Sequence, residues 1–437
     1  MITTRFASVI CSAALMAVAT LLAGCESGGS GGSPGAASDV TTEASKREKG
    51  QATGKGGKGA TTTTTPTTTI TAPTGDGYVP SPTLAGAAAL VADFPVEQGL
   101  QRAWGTGAIP GRYGTEMGAF RFTCGAEGQL LYDDPLVKYG QLGKAHLHQF
   151  WGPTNVDANT TMSTLASSIG SSTCNYGTKT LNRSSYWMPA VLDTNGYVRN
   201  ADWIAVYYKR AMATSPRCTP GSPTFMGICV SLPNQIRLVF GWDQSNPDAT
   251  VKGASWYCTG GTNGHFNNLD DVFKSGCKAG DVLVADLLAP DCWDGKYLDT
   301  PDHRSHLTYP GYGSWGYLKC PATHPYVIPQ NESKVAWTVT ADMYEKLADG
   351  TIRSRLRLSS DHMKPGARPG ETLHSDYMEQ WVDAAKRMWE EGCINKGLDC
   401  SGGDLGNGLQ LIGASQPSYG WVNPKPRSAT AMPEMLH

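Results

Sequence analysis

The sequence predicts a mostly β fold: a single β-sandwich or jelly-roll-like domain with long disulfide-pinned loops and a helix near its carboxyl end. Turn residues recur about every ten positions, and the segments between them are short and rich in β-branched or aromatic residues. Ten cysteines remain after the first 25 residues, an even number for disulfides. Together these patterns indicate short strands held by crosslinks.

Strands are predicted wherever short segments alternate apolar and polar residues or are rich in β-branched and aromatic ones. Four segments qualify: 202–210, 234–242, 333–341 and 351–360. An apolar stripe predicts one helix over 375–392, ended by Gly392. A shorter helix is expected near 84–93.

Residues 1–24 have the pattern of a secretory signal peptide, because Arg5 precedes an apolar run too short to span a membrane. The run ends in Leu-Ala-Gly-Cys, which resembles the bacterial lipobox. That resemblance implies cleavage before Cys25, lipidation of its sulfur and insertion of the acyl chains into a lipid bilayer. The alternative is an ordinary signal peptide with an incidental cysteine. We therefore expect an exported protein, lipid-anchored to the bacterial cell membrane, or to the outer membrane of a Gram-negative host.

The rest of the chain divides into a linker and one globular domain. Residues 25–80, from the lipidated cysteine onward, are rich in Gly, Ser and Thr and too poor in large apolar residues to form a core. Residues 81–437 are expected to form the globular domain, as a monomer. The formal net charge of −2 argues against nucleic acid as a partner.

Cysteine spacing predicts about five disulfides in an exported chain. Cys11 leaves with the signal peptide and Cys25 is lipidated, so ten cysteines remain. Near neighbours are the plausible pairs: Cys218/Cys229, Cys258/Cys277 and Cys393/Cys400. No CxxC motif is present, which disfavours zinc ribbons and thioredoxin-type chemistry.

Five stretches contain the residues most suited to chemistry: 140–152, 182–198, 289–310, 320–329 and 370–381. In the first, His146 and His148 are two residues apart, so on a strand they share a face and suit two ligands of one metal. In the last, His374 and Asp376 have the same spacing at the start of the predicted helix.

The five stretches, in this order, resemble a family of secreted proteins known as a domain of unknown function, DUF1996. The matching blocks are HxHxFxG at His146–Gly152, YWxP ending at Pro189, CWDG from Cys292, CPxxHP from Cys320 and GxxxHxD at Gly370–Asp376. The resemblance covers about residues 115–400. It implies a role outside the cytoplasm and no particular reaction.

Three interpretations of the polar residues remain open. In the first, His146, His148 and His374 bind a divalent metal, with Asp376 and His306 in the same pocket. In the second, a histidine and Tyr186 or Tyr309 act as base and acid without metal, and Asp376 orients His374. In the third, the histidines only hold loops together.

The aspartates of 289–310 do not have EF-hand spacing, so calcium is disfavoured and Asx-turns are the expected use of these residues. Paired carboxylates such as Asp294 and Asp376 would suit glycoside hydrolysis, although the signal is faint. The sequence has no HExxH, P-loop or cupin-type glutamate after His148.

Aromatic residues lie within or beside the same stretches, and exposed rings would stack on sugars. The candidates for substrate binding are Trp151, Trp187, Trp293 and Tyr309, and the alternative is that such rings form the core. The sequence therefore predicts a cell-surface lipoprotein with a His/Asp pocket lined by aromatics that binds or cleaves an envelope or extracellular polysaccharide. As an enzyme it would be lyase- or hydrolase-like. The alternative is a non-catalytic glycan-binding or structural envelope protein.

Overall fold

The structure is a computed structural model, and it describes residues 76–104, 108–110, 116–125, 128–168, 170–174, 179–313, 316–413 and 430–431. The predicted signal peptide, Cys25 and nearly all of the predicted linker lie outside these residues. No helix among the described residues is long and apolar enough to cross a membrane.

The described residues form 28 short strands and three α-helices. The strands are β1 Val79–Pro80, β2 Leu100–Arg102, β3 Ala108–Pro110, β4 Met117–Gly125, β5 Gln129–Leu131, β6 His148–Trp151, β7 Ser185–Pro189, β8 Val191–Asp193, β9 Tyr197–Val198, β10 Trp203–Ala211, β11 Ile228–Cys229, β12 Arg237–Gly241, β13 Ala254–Cys258, β14 Val282–Leu288, β15 Cys292–Trp293, β16 Tyr297–Asp299, β17 Leu307–Thr308, β18 Gly311–Tyr312, β19 Leu318–Lys319, β20 Tyr326–Val327, β21 Gln330–Thr338, β22 Tyr344–Lys346, β23 Ile352–Ser354, β24 Leu356–Leu358, β25 His374–Met378, β26 Leu398–Cys400, β27 Leu409–Leu411 and β28 Thr430–Ala431. The α-helices are α1 Met162–Ala166, α2 Leu269–Lys274 and α3 Asp383–Gly392. Single 3₁₀ turns cover Val96–Gly99, Pro216–Cys218, Ala341–Met343, Asp361–Met363 and Ile394–Lys396.

Two large sheets form the sandwich. The first has seven strands in the order β13-β14-β21-β10-β4-β26-β3, and the second has five in the order β12-β25-β7-β6-β5. All pairs in the five-stranded sheet are antiparallel, and in the larger sheet only β26 and β4 run parallel. Because side chains alternate between faces along each strand, each sheet turns one face toward the other and one face outward.

The core between the sheets is built largely from aromatic rings. Phe120 of β4 stacks on Trp389 of α3, with ring centroids 5.4 Å apart. At the centre the hydroxyl of Tyr208 lies 2.6 Å from that of Tyr186 and 3.0 Å from that of Tyr377. These hydroxyls satisfy one another where water is excluded, and so the two sheets are joined by polar as well as apolar contacts.

The other face of the five-stranded sheet is covered by α1 and by the loop segments that flank β5 and β6. A separate apolar cluster packs there, including Phe150, Trp187 and Met378 from the sheet with Met162 and Leu165 from α1. The covering chain makes this face a buried interior, and polar residues on it are therefore desolvated.

Five disulfides pin the loops, joining Cys124–Cys174, Cys218–Cys229, Cys258–Cys277, Cys292–Cys320 and Cys393–Cys400. The predicted number and the three predicted near-neighbour pairs are confirmed. Intact disulfides are typical of chains that fold outside the reducing cytoplasm, which supports an exported protein.

The mostly β class is confirmed, and all four predicted segments contain strands. The helix is shorter than predicted: α3 begins at Asp383, and His374–Met378 is the strand β25 instead. Strand β25 lies between β12 and β7, so sheet pairing overrides the helical pattern there. The helix expected near 84–93 is wrong, since Gly86 and Leu90 make isolated β-bridges to distant residues.

Candidate metal centre

Three histidines meet on the covered face of the five-stranded sheet. His148 begins β6 and His374 begins β25, the strands on either side of β7. His148 pairs with Pro189 at the end of β7. His146, two residues before His148, completes the group. Residues 228 positions apart in sequence are thus brought together by strand order alone.

The rings are close enough to share one ion. Ring centroids are 4.0 Å apart for His146 and His148, 5.1 Å for His146 and His374, and 6.1 Å for His148 and His374. One nitrogen from each ring lies within 4.8 Å of the others. Three imidazole nitrogens at this spacing are a ligand set that zinc and copper favour.

Backbone carbonyls fix how two of the rings present their nitrogens. Nδ1 of His148 lies 2.9 Å from the carbonyl of Asp133, and Nδ1 of His374 lies 2.8 Å from the carbonyl of Thr372. A carbonyl only accepts, so in each neutral ring Nδ1 carries the proton and Nε2 keeps its lone pair. Metal-ligating histidines are held in this way in many proteins.

Burial keeps the rings neutral. Desolvation lowers the pKa of His148 to about 4, although the bond to the Asp133 carbonyl opposes the shift. Desolvation, and then the neighbouring His148, lower the pKa of His374 to about 3. The pKa of His146 is also held well below its ordinary value, first by burial. The described part of the chain offers no hydrogen-bond partner to the buried Nε2 atoms of His146 and His148.

Two buried carboxyl groups lie on the same side of the sheet. Asp376 is 1% exposed, and neither of its carboxyl oxygens has a hydrogen-bond partner among the described residues. Burial, and then the nearby charge of Asp134, raise the pKa of Asp376 well above its ordinary value. Asp134 accepts hydrogen bonds from the amides of Leu136 and Val137, 2.9 Å away in both cases. An unpaired buried carboxyl group costs stability unless a cation or ligand meets it.

Three sequence hypotheses about the polar residues are corrected by these positions. His306 is outside the group, because its nitrogens bond to the Thr300 hydroxyl and the Arg237 carbonyl. Tyr186 lies on the opposite face of the sheet, where it pairs with Tyr208, so it cannot serve the histidines as an acid. Asp376 does not orient His374, whose Nδ1 instead bonds to a backbone carbonyl.

The predicted stacking platforms are also corrected. Trp151, Trp187 and Trp293 are 1%, 0% and 0% exposed, so none offers a face to a sugar. They fill the interior on both faces of the sheet and beneath the loops, as large apolar side chains do. Tyr309 is half-buried and its hydroxyl donates to the Leu288 carbonyl, 2.7 Å away. It is not part of the histidine group.

Two residues that support the histidines are not among those that the sequence pattern singles out. Asp133 and Asp134 follow β5 in the segment YDDP, where two acidic residues before a proline are a recognisable loop signal. Their roles depend on a carbonyl and on buried backbone bonds, which no residue pattern specifies.

We predict that the chelator-treated protein at pH 7 has neutral His148 and His374, each with its proton on Nδ1. Both stay neutral down to about pH 5, whereas an unshifted histidine titrates near pH 6.5. Long-range proton–nitrogen NMR of histidine-labelled protein reads the tautomers directly. A proton on Nε2, or a doubly protonated ring at pH 7, contradicts this description.

A known protein family matches the part of the chain that contains the histidines. The family model for a domain of unknown function, DUF1996, matches residues 134–381, more than half of the 437 residues. The match spans the three histidines, Asp134 and Asp376. No curated protein and no solved structure matches the chain. The chain therefore belongs to the DUF1996 family.

Proposed function

We propose that the protein is an exported metalloprotein in which His146, His148 and His374 bind a divalent transition metal. The observation that carries the proposal is the set of three neutral, converging imidazoles in a desolvated site. Without a ligand, burial of these lone pairs would cost desolvation free energy that no hydrogen bond offsets. A bound ion supplies the missing partner.

The arrangement suits a centre that does chemistry better than a purely structural one. Structural zinc sites are closed by four protein ligands, whereas catalytic sites use three and leave a position for water or substrate. The three histidines supply three ligands. Among the described residues, the buried carboxyl of Asp376 and the buried indole N–H of Trp187, on the neighbouring strand, have no hydrogen-bond partner.

The metal prediction is tested on full-length protein purified without a polyhistidine tag. We expect near one equivalent of zinc or copper in the wild type, and its loss in His146→Ala/His148→Ala and in His374→Ala. Ligand linkage adds about 2.7 kcal/mol of stability when free zinc is a hundred times the Kd. Thermal unfolding with and without zinc should show this gain only in proteins with the intact group.

His265→Ala is the matched control, since His265 is 56% exposed and outside the group. It should keep both the metal and the zinc-dependent stabilisation. Circular dichroism establishes that each variant is folded. Wild-type protein that takes up neither zinc nor copper, or a folded double variant that binds as much metal as the wild type, overturns the proposal.

We also propose that Cys25 anchors the exported protein in the membrane through its acyl chains. Support comes from the Leu-Ala-Gly-Cys sequence and from five disulfides in the described domain. Expression in a bacterial host with an alkyne-bearing palmitate analogue should label the wild type and leave Cys25→Ser unlabelled, with the wild type in the membrane fraction. Unlabelled wild type, or equal labelling of the two, contradicts the anchor.

Polysaccharide binding is the second candidate function, and the outward face of the seven-stranded sheet favours it. On this face Lys334 lies over the ring of Tyr257 at 5.3 Å and bonds to Asp286 at 3.3 Å. Arg121 donates to the hydroxyl of Tyr207 at 2.9 Å. Rings set among paired charges suit sugars, which have both apolar faces and hydroxyl groups, and Tyr257 is the more exposed of the two rings.

Affinity electrophoresis tests this candidate with β-glucan, mannan, polygalacturonate and hyaluronan as the immobilised polysaccharides. We expect one of them to retard the wild type and Tyr257→Ala to weaken that retardation about tenfold, or 1.4 kcal/mol. Tyr312→Ala is the control, because Tyr312 is 82% exposed on a separate hairpin. No retardation by any of the four, or equal retardation of wild type and Tyr257→Ala, removes the candidate.

A further inference from the structure

A concave site lies apart from the histidines, at one end of the outward face of the seven-stranded sheet. Its volume is about 310 Å³, within the size range of small-molecule pockets. Lys209 of β10, Leu288 of β14 and Gln330 of β21 form one side. Cys229 and Val327, from the small sheet of β11, β20, β15 and β17, form the other.

Disulfides hold the walls of this cavity in place. Cys218–Cys229 closes the loop that carries Met226 and begins directly after Arg217, and Cys292–Cys320 ties β15 to the segment before β20. The cavity is therefore formed by crosslinked chain, and little ordering is required when a ligand binds.

Asp291 differs from its neighbouring aspartates. As the sequence predicts, Asp294, Asp299 and Asp302 use their carboxylates to accept backbone amides in turns. Asp291 lines the cavity at 8% exposure, and the backbone amide that bonds to its carboxylate is its own. A carboxylate accepts several hydrogen bonds, so Asp291 keeps acceptor capacity for a ligand that enters the cavity.

The cations around Asp291 are not equivalent. Arg210 is committed to the protein, since its nitrogens bond to the carbonyls of Ala211 and Val230 and to the amide of Asn395. Lys209 is paired with Glu332.

Arg217 attracts Asp291, yet its described side-chain bond is a weak contact to the sulfur of Met117, 3.7 Å away. Its guanidinium group therefore has donors to spare for an anion.

The rest of the lining is mainly apolar. Met117, Met226, Leu288 and Val327 contribute aliphatic or thioether surface, and Tyr309 adds a ring whose hydroxyl is already bonded to Leu288. A neutral sugar would leave most of its hydroxyls unpaired in such a cavity. A ligand with an apolar body, one positive charge and one negative charge would complement the apolar lining, Asp291 and Arg217.

We propose that this cavity binds a small zwitterion with an apolar side chain, an α-amino acid, with its ammonium on Asp291 and its carboxylate on Arg217. The side chain then packs against the methionines and Val327. Both charges of the ligand are met by side chains with spare bonding capacity, and flexible methionines accommodate side chains of different shape.

The charge pairing should make binding depend on pH. Burial raises the pKa of Asp291 to about 7, and the attraction of Arg217 opposes the shift. The other charged groups lining the cavity, Lys209 and Arg210, stay protonated below that value. Since only the ionised carboxylate pairs with an ammonium group, affinity should fall more than tenfold between pH 7.5 and about pH 5.5.

Isothermal titration calorimetry on the full-length protein at pH 7.5 tests the proposal with L-leucine, L-methionine and L-phenylalanine. We expect at least one to bind, and Asp291→Asn and Arg217→Gln each to weaken it at least tenfold. N-acetylation of the best ligand should cause a similar loss. Asp248→Asn, which removes an exposed carboxylate, should bind as the wild type does.

Asn has the shape of Asp, so Asp291→Asn should fold, and Arg217→Gln offers a second, less buried probe. Failure of all three amino acids to bind the wild type overturns the proposal, as does equal binding by wild type and Asp291→Asn. The result is independent of the metal centre, because none of the three histidines lines this cavity.

Discussion

The candidate site depends on the antiparallel register of three strands, β6, β7 and β25. Register decides which residues of β6 and β25 point to the covered face, and a shift of one residue would send both histidines into the opposite core. The alternation places His148 with Phe150, and His374 with Asp376, while Tyr186 and Tyr377 face the other sheet. One set of backbone bonds thus separates a tyrosine cluster from a histidine cluster across the thickness of one sheet.

Burial then gives the histidine face its chemistry. The chain between β5 and β6 covers the sheet, and its Asp133 carbonyl fixes the tautomer of His148. Desolvation keeps the imidazoles neutral and also makes the unpaired carboxyl of Asp376 costly. A divalent cation would accept the imidazole lone pairs and stabilise the ionised form of Asp376, so the convergence of these groups supports a metal site.

The sequence predicts those parts of the fold that follow from local pattern. Strands β10, β12 and β21 are recognisable because each alternates or is rich in β-branched residues, and near-neighbour cysteines pair where their spacing allows. The His146/His148 spacing also predicts a shared face, as the structure has it.

Strand β25 was interpreted as helix because its apolar residues continue into α3 with helical spacing, and only pairing with β12 and β7 makes it a strand.

The errors at the site have the same origin. The sequence groups His306 and Tyr186 with the histidines because all are chemically suitable residues of the five stretches, and membership of a motif does not specify a face of a sheet. The tryptophans were assigned to sugars by composition, whereas their size makes them core residues here. The sequence does not distinguish Asp291 from the neighbouring aspartates. The structure does, because the others accept backbone amides in turns.

The most direct test of the central claim is X-ray absorption at the zinc edge on full-length protein reloaded with one equivalent of zinc. The proposed metal centre predicts three nitrogen scatterers at about 2.0–2.1 Å with the outer-shell pattern of imidazole. It also predicts that this pattern is lost in a folded His148→Ala variant. A shell of oxygen scatterers alone, or an imidazole signal unchanged by that substitution, would contradict the account.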